Sequence, residues 1–84
     1  EIGNLEISPN PAKDVINIQV LGETHLLGGK LHVFDIFGRN IHTLSMPNSS
    51  FHQLDISNYL PGLYFVEFID NQLKTAKGKF IKIN

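Results

Sequence analysis

Two kinds of side chain in this 84-residue sequence could do chemistry, the carboxylates and the imidazoles. Asp35 and Asp55 are the candidate acid/base pair, since general acid-base work needs two titratable groups facing one pocket. Each has a simpler local duty. Asp35 opens the turn Asp35-Ile36-Phe37-Gly38-Arg39 and can accept its hydrogen bonds, while Asp55 ends a strand. The sequence contains no nucleophile elbow, no phosphate-cradling glycine loop and no His-Glu zinc helix, so no catalytic site is expected.

The histidines are His25, His32, His42 and His52. Asp at the first turn position and Gly at the fourth fit a type I turn with a G1 bulge at Gly38, which makes 35–39 the loop of a hairpin. That register sets Asp35 opposite Arg39, Val33 opposite Ile41 and His32 opposite His42, with the two imidazole Cβ atoms ~5 Å apart. Such a pair could start a metal site, but a third ligand is not assured from His25 or His52 on other segments. The expectation is two exposed polar residues, and neither a metal nor a cofactor is called for.

These residues must be held by strands. No stretch of 11 or more residues keeps helical periodicity free of Gly, Pro and β-branched residues, whereas several short runs alternate with a period near two. Leu5-Glu6-Ile7 reads as a first strand, stopped by Ser8-Pro9-Asn10-Pro11, whose prolines remove two ladder donors. Val15 to Val20 is a second, with Ile16, Ile18 and Val20 on one side. Gly28-Gly29 leads into a third over Lys30 to Asp35, and a fourth runs from Arg39 to about Met46, broken by Pro47-Asn48-Ser49-Ser50. Phe51 to Ile56 is a fifth.

Leu63 to Ile69 is apolar on both faces except for Glu67, which predicts a central strand covered from both sides. A turn at Asp70-Asn71 then leads into Leu73 to Ile83, a last strand pairing back on the sixth. Phe34, Phe37, Phe65, Phe68 and Phe80 are assigned to the core. Seven short strands with regular turns predict an all-β, seven-stranded antiparallel immunoglobulin-like β-sandwich, in which Tyr64 could be a corner tyrosine.

Size and charge bound the function. This mass buries about 63% of its unfolded surface, which allows one modest core. With no cysteine, packing and strand pairing alone must hold it. A net charge of −1 lacks the concentrated basic excess of a nucleic-acid binder, so no nucleic acid partner is expected. No apolar run reaches ~18 residues. The missing initiator Met leads to the expectation of a piece cut from something longer. Lys74, Lys77, Lys79 and Lys82 give the last strand a basic bias, which either favours an anionic partner or protects an edge. Asn48-Ser49-Ser50 matches a glycosylation acceptor, a pattern too short to weigh.

Several motifs occur in one order: Pro9-Asn10-Pro11 followed by Ala12-Lys13-Asp14, then Val33 to Arg39, Leu54-Asp55-Ile56-Ser57, Leu60 to Val66, and Lys79-Phe80-Ile81-Lys82. The ordered set, spanning Leu5 to the end, resembles the type A C-terminal sorting domain of the bacterial type IX secretion system. The resemblance implies a single domain over 1–84 at the end of a larger secreted protein. It implies a secretion signal that takes an N-terminally attached cargo from the periplasm across the outer membrane to the cell surface or medium. The implied partners are the outer-membrane translocon, its shuttle protein, and a sortase-like surface peptidase that removes the domain or attaches the cargo to the cell surface.

The residues that carry the resemblance, and hence the implied recognition by the translocon, are Asp35, Gly38 and Arg39, Pro61, Gly62, Leu63 and Tyr64, and Lys79, Phe80, Ile81 and Lys82. Within the last group, Phe80 is expected to anchor the core, while the flanking lysines and a free strand edge face the partner. The alternative from the residues alone is a carbohydrate-binding or adhesive sandwich module of a secreted enzyme, which would need an exposed aromatic platform.

Overall fold

The computed structural model describes residues 3–21, 29–46, 51–71 and 75–84. Period-two alternation sets its strands: Ile16, Ile18 and Val20 point inward from β2 (Val15–Val20), and Leu31 and Val33 from β3 (Gly29–Phe34). The remaining strands are β1 (Gly3–Ser8), β4 (Asn40–Met46), β5 (Phe51–Asp55), β6 (Gly62–Ile69) and β7 (Thr75–Lys82). The expected breaks at 47–50, the glycosylation pattern at Asn48, His25, Lys74 and the loop leading to Gly28 lie outside the described residues.

The hydrogen-bonded order is β4-β3-β6-β7-β1-β2-β5. It doubles over at β1, whose Gly3 and Asn4 run beside Ala76 and Lys77 of β7, while Leu5 to Ser8 pair with β2. The result is an immunoglobulin-like sandwich of two layers, β4-β3-β6-β7 and β1-β2-β5. One core lies between them, built from Ile16, Ile18, Leu54 and Ile56 on one side and Leu31, Val33, Tyr64, Val66, Phe68 and Phe80 on the other. The sheet is mixed rather than purely antiparallel, because β1 and β7 run parallel where β1 changes layer.

Two further expectations are corrected. β6 is central, between β3 and β7, but it is covered on one face only: its inward residues are buried, whereas Phe65 is 41% exposed. A two-layer sandwich has only one interior, so an apolar outer position records something other than burial. The phenylalanines divide accordingly. Phe68 and Phe80 are fully buried, Phe34 is half-buried, and Phe37 lies at a loop tip, exposed.

Candidate functional site

The β3–β4 turn is built by the side chain of Asp35. Its backbone carbonyl accepts from the Gly38 N–H at 3.0 Å and its own N–H donates to the Arg39 carbonyl at 3.1 Å, closing the predicted three-residue loop. Gly38 has φ of 79°, the left-handed conformation that glycine adopts without penalty. Asp35 Oδ1 accepts from the backbone N–H groups of Phe37 and Arg39 at 2.9 and 3.0 Å, and Oδ2 accepts from Arg39 Nε at 2.7 Å. Partial desolvation raises the Asp35 carboxyl, but the Arg39 backbone and side-chain bonds, the Phe37 N–H and the guanidinium charge outweigh it and hold the group below its ordinary value. The guanidinium also lies 5.4 Å from the centre of the Phe37 ring. With the turn held by these local bonds, Ile36 and Phe37 point outward, 59% and 77% exposed.

The β5–β6 crossing is fixed by a second carboxylate and by a tyrosine. Asp55 Oδ1 accepts from the Ser57 hydroxyl at 2.7 Å and the Ser57 N–H at 2.9 Å, and these bonds lower its pKa. Tyr64 lies inside the start of β6 and donates its hydroxyl to the Leu60 carbonyl, four residues upstream. It is therefore a corner tyrosine. Its ring contacts Tyr59 at 5.2 Å and stacks on Phe80 at 5.3 Å and 15°. Burial beside Tyr64 raises the Tyr59 phenol. Gly62 has φ of 147°, again accessible chiefly to glycine, and the chain turns there into β6. Leu60, at the crest of the crossing, is 78% exposed, and Pro61 is exposed beside it.

The terminal strand answers differently from what its sequence suggests. Gly62, Leu63 and Tyr64 of β6 face Lys82, Ile81 and Phe80 of β7. Phe80 is the core anchor expected. Lys82, expected to be available to a partner, is instead 5% exposed, because even-numbered β7 positions face inward, and its Nζ donates to the Ile83 carbonyl at 2.7 Å. Lys79 and Ile81 face outward and are exposed.

Nor is the outer edge of β7 free. Asn10, between the two prolines, accepts the Ile81 N–H on Oδ1 at 2.9 Å and donates Nδ2 to the Lys79 carbonyl at 3.3 Å. Beyond it the Ala12 N–H donates to the Ile81 carbonyl and the Ile83 N–H to the Ala12 carbonyl, both at 2.8 Å. The Ser8–Pro9 and Asn10–Pro11 bonds are both cis. Asn10 thus does for the last strand what a neighbouring backbone would.

The histidine pairing is also corrected. Phe34 faces Asn40 but Val33 faces His42, so the register slips at Ile41, and His32 faces Thr43. A bulge at Ile41 separates the imidazoles that the unbroken register would have paired. His32 Nδ1 instead shares a polar cluster with Thr43 Oγ1 at 2.9 Å and Asn40 Nδ2 at 3.1 Å. Among the described residues no group of three His, Cys, Asp or Glu is placed to hold a metal.

The structure therefore brings the Asp35 turn, the Leu60 crossing and the Tyr64–Phe80 contact to one pole of the sandwich. There Ile36, Phe37, Arg39, Leu60, Pro61 and Leu63 surround a shallow groove of about 170 Å³. Across the Leu60 ridge lies a second depression of about 380 Å³, which Arg39 also lines, together with Ile41 and Tyr59. Lys79 stands apart, on the outer face opposite Phe65. Ile36, Phe37 and Leu60 are exposed here, whereas residue type alone assigned Phe37 to the core. The available signal was their apolar character at turn positions whose conformation Asp35, Gly38 and Gly62 already supply.

A family model described as the secretion system C-terminal sorting domain matches residues 6–83. No curated protein matches the chain. Among solved structures, a DUF3244 family protein with an immunoglobulin-like β-sandwich fold from Bacteroides vulgatus is 14% identical, with a TM-score of 0.72, covering 99% of this chain and 100% of its own. PorZ, an essential bacterial surface component of the type IX secretion system of Porphyromonas gingivalis, is 20% identical, with a TM-score of 0.69 over 95% of this chain. The chain spans 11% of the length of PorZ. At these identities the two structures share the fold.

Proposed function

Because the chain belongs to the family of secretion system C-terminal sorting domains, we propose that it is the sorting label of a cargo joined to its N-terminus, read at the pole formed by the β3–β4 turn and the β5–β6 crossing. The route is type IX secretion, from the periplasm across the outer membrane to the cell surface or medium. The reader is the outer-membrane translocon or its shuttle protein, and a sortase-like surface peptidase afterwards removes the domain or attaches the cargo to the cell surface. The domain is a signal, and any catalysis belongs to the cargo.

The observation that carries this reading is the exposure of Ile36, Phe37 and Leu60 around Arg39 on a turn rigidified by Asp35. A folded domain gains nothing internally from three large apolar side chains in water, whereas aromatic and arginine side chains on a preorganised surface are what partner proteins bind most strongly. A carbohydrate platform is not favoured, since the chain has no Trp, Tyr64 is buried and Tyr59 half-buried, and the exposed rings of Phe37, Phe51 and Phe65 stand on separate surfaces, a turn tip, β5 and the outer face of β6.

The test is a periplasmic reporter carrying residues 1–84 at its C-terminus in a bacterium with a type IX system. Surface or medium delivery that disappears when β7 is removed supports the reading. A reporter that stays in the periplasm with the intact domain, or leaves equally well without it, overturns it.

A further inference from the structure

The outer face of the β4-β3-β6-β7 layer carries a feature that the pole does not use. Phe34, Phe65 and Lys79 form one cross-strand row, and His32, Glu67 and Lys77 the next. Phe34, Phe65, Glu67 and Lys77 line a groove of about 280 Å³, and Lys30 is exposed further along β3. Among the described residues three ammonium groups thus stand against one carboxylate, in a chain whose net charge is −1. Glu67 reaches Lys77 only at 4.0 Å, and the Lys77 side chain is 70% exposed. Such a pair holds weakly and is readily exchanged for a better partner. Among the described residues neither Lys30 nor Lys79 has an ion-pair partner. The outer face of β1-β2-β5 has the opposite character, with Glu6, Asn17, Gln53 and Asp55.

We propose that this face binds an extended acidic segment of a partner protein, with carboxylates on Lys77 and Lys79 and apolar side chains over Phe65. The spacing suits it: residues two apart on a strand are ~6.6 Å apart, and an extended peptide repeats its side chains at the same interval. Ammonium groups take carboxylates as point charges, without demanding a bidentate geometry. A second copy of the chain docked through this same face would bring the same three ammonium groups and be repelled. A membrane surface calls for clusters of about four to eight cations, more than the described residues of this face supply. The inference rests on the sorting reading but concerns a surface separate from the pole.

The experiment places the photo-crosslinker p-benzoylphenylalanine at position 65, and in a parallel chain at position 37, of the fused reporter in exporting cells. The crosslinked peptide captured from position 65 is expected to carry Asp or Glu within a few residues. Lys77→Glu with Lys79→Glu is expected to reduce that crosslink roughly tenfold, leave the one from position 37 in place, and leave the unfolding midpoint near that of the parent, since both side chains are exposed. Capture of a segment without carboxylates, capture of a glycan, or no crosslink from 65 while 37 crosslinks overturns the proposal and leaves the sorting reading intact. Export that does not depend on residues 1–84 overturns the sorting reading itself.

Discussion

The pole and the terminal strand meet at the Tyr64–Phe80 ring contact, yet they dispose of their side chains in opposite ways. At the pole, a few small or polar groups make the conformation, Asp35, Gly38, Gly62 and the Tyr64 hydroxyl, and large apolar neighbours are held out into water. On the terminal strand the conspicuous residues turn inward: Phe80 fills the core, Lys82 is covered, and Asn10 closes the edge. The difference teaches that a motif marking a family need not be the surface a partner reads. Much of each motif makes the fold, and the exposed apolar side chains lie between its fixed points.

The sharpest way to break this division is at Phe80. Phe80→Ala removes a fully buried ring and should cost about 3–5 kcal/mol, a large part of the roughly 4–13 kcal/mol that a chain this long commands. Urea unfolding followed by circular dichroism measures it; an unchanged midpoint would remove Phe80 from the fold-making set. Next in size, Gly62→Ala should cost about 1–3 kcal/mol. A Cβ there meets nothing within 4 Å, so the whole cost comes from the backbone, and a smaller loss would mean the crossing can relax.

Asn10→Ala should cost about 1–2 kcal/mol by removing two edge bonds, and the Ile81 amide should exchange with solvent markedly faster. Slow exchange at Ile81 in that variant would show that the strand edge is held without Asn10.

Asp35→Asn gives the smallest effect and the clearest sign. The folded pKa of Asp35 is depressed, so its contribution to stability is fully present above the ordinary value of 3.8 and is lost as pH falls through the folded value. Wild type should therefore lose stability below about pH 4 more steeply than Asp35→Asn, whose amide oxygen can still accept from Phe37. Parallel acid limbs in pH-dependent unfolding would detach Asp35 from the turn's stability.

How much of this could be read from residues alone follows from which interactions are local. The 35–39 loop was legible because Asp and Gly at fixed turn positions have one dominant geometry, and β2 because alternation with one buried face has one register. The slip at Ile41 was not, because a bulge leaves side-chain types unchanged while moving every later pair by one. Phe65 and Lys82 misled because apolarity or charge shows what a residue prefers, not which side of a sheet its place in the strand assigns it. Asn10 was invisible for a different reason. Its partners lie 69 and 71 residues away, and the flanking prolines spoke only of missing donors. The exposed apolar pole was overlooked because hydrophobicity was read as burial.

Where the domain is read is decided by comparing one folded double variant with its parent in the export assay. Phe37→Ser with Leu60→Ser alters only exposed side chains, so unfolding should stay within about 0.5 kcal/mol per site of the parent. Its reporter should be retained in the periplasm, with delivery down roughly 30-fold, the effect of losing a binding hot spot worth about 2 kcal/mol. Export at the parental level by this folded variant would contradict the account and place the reading surface elsewhere on the domain.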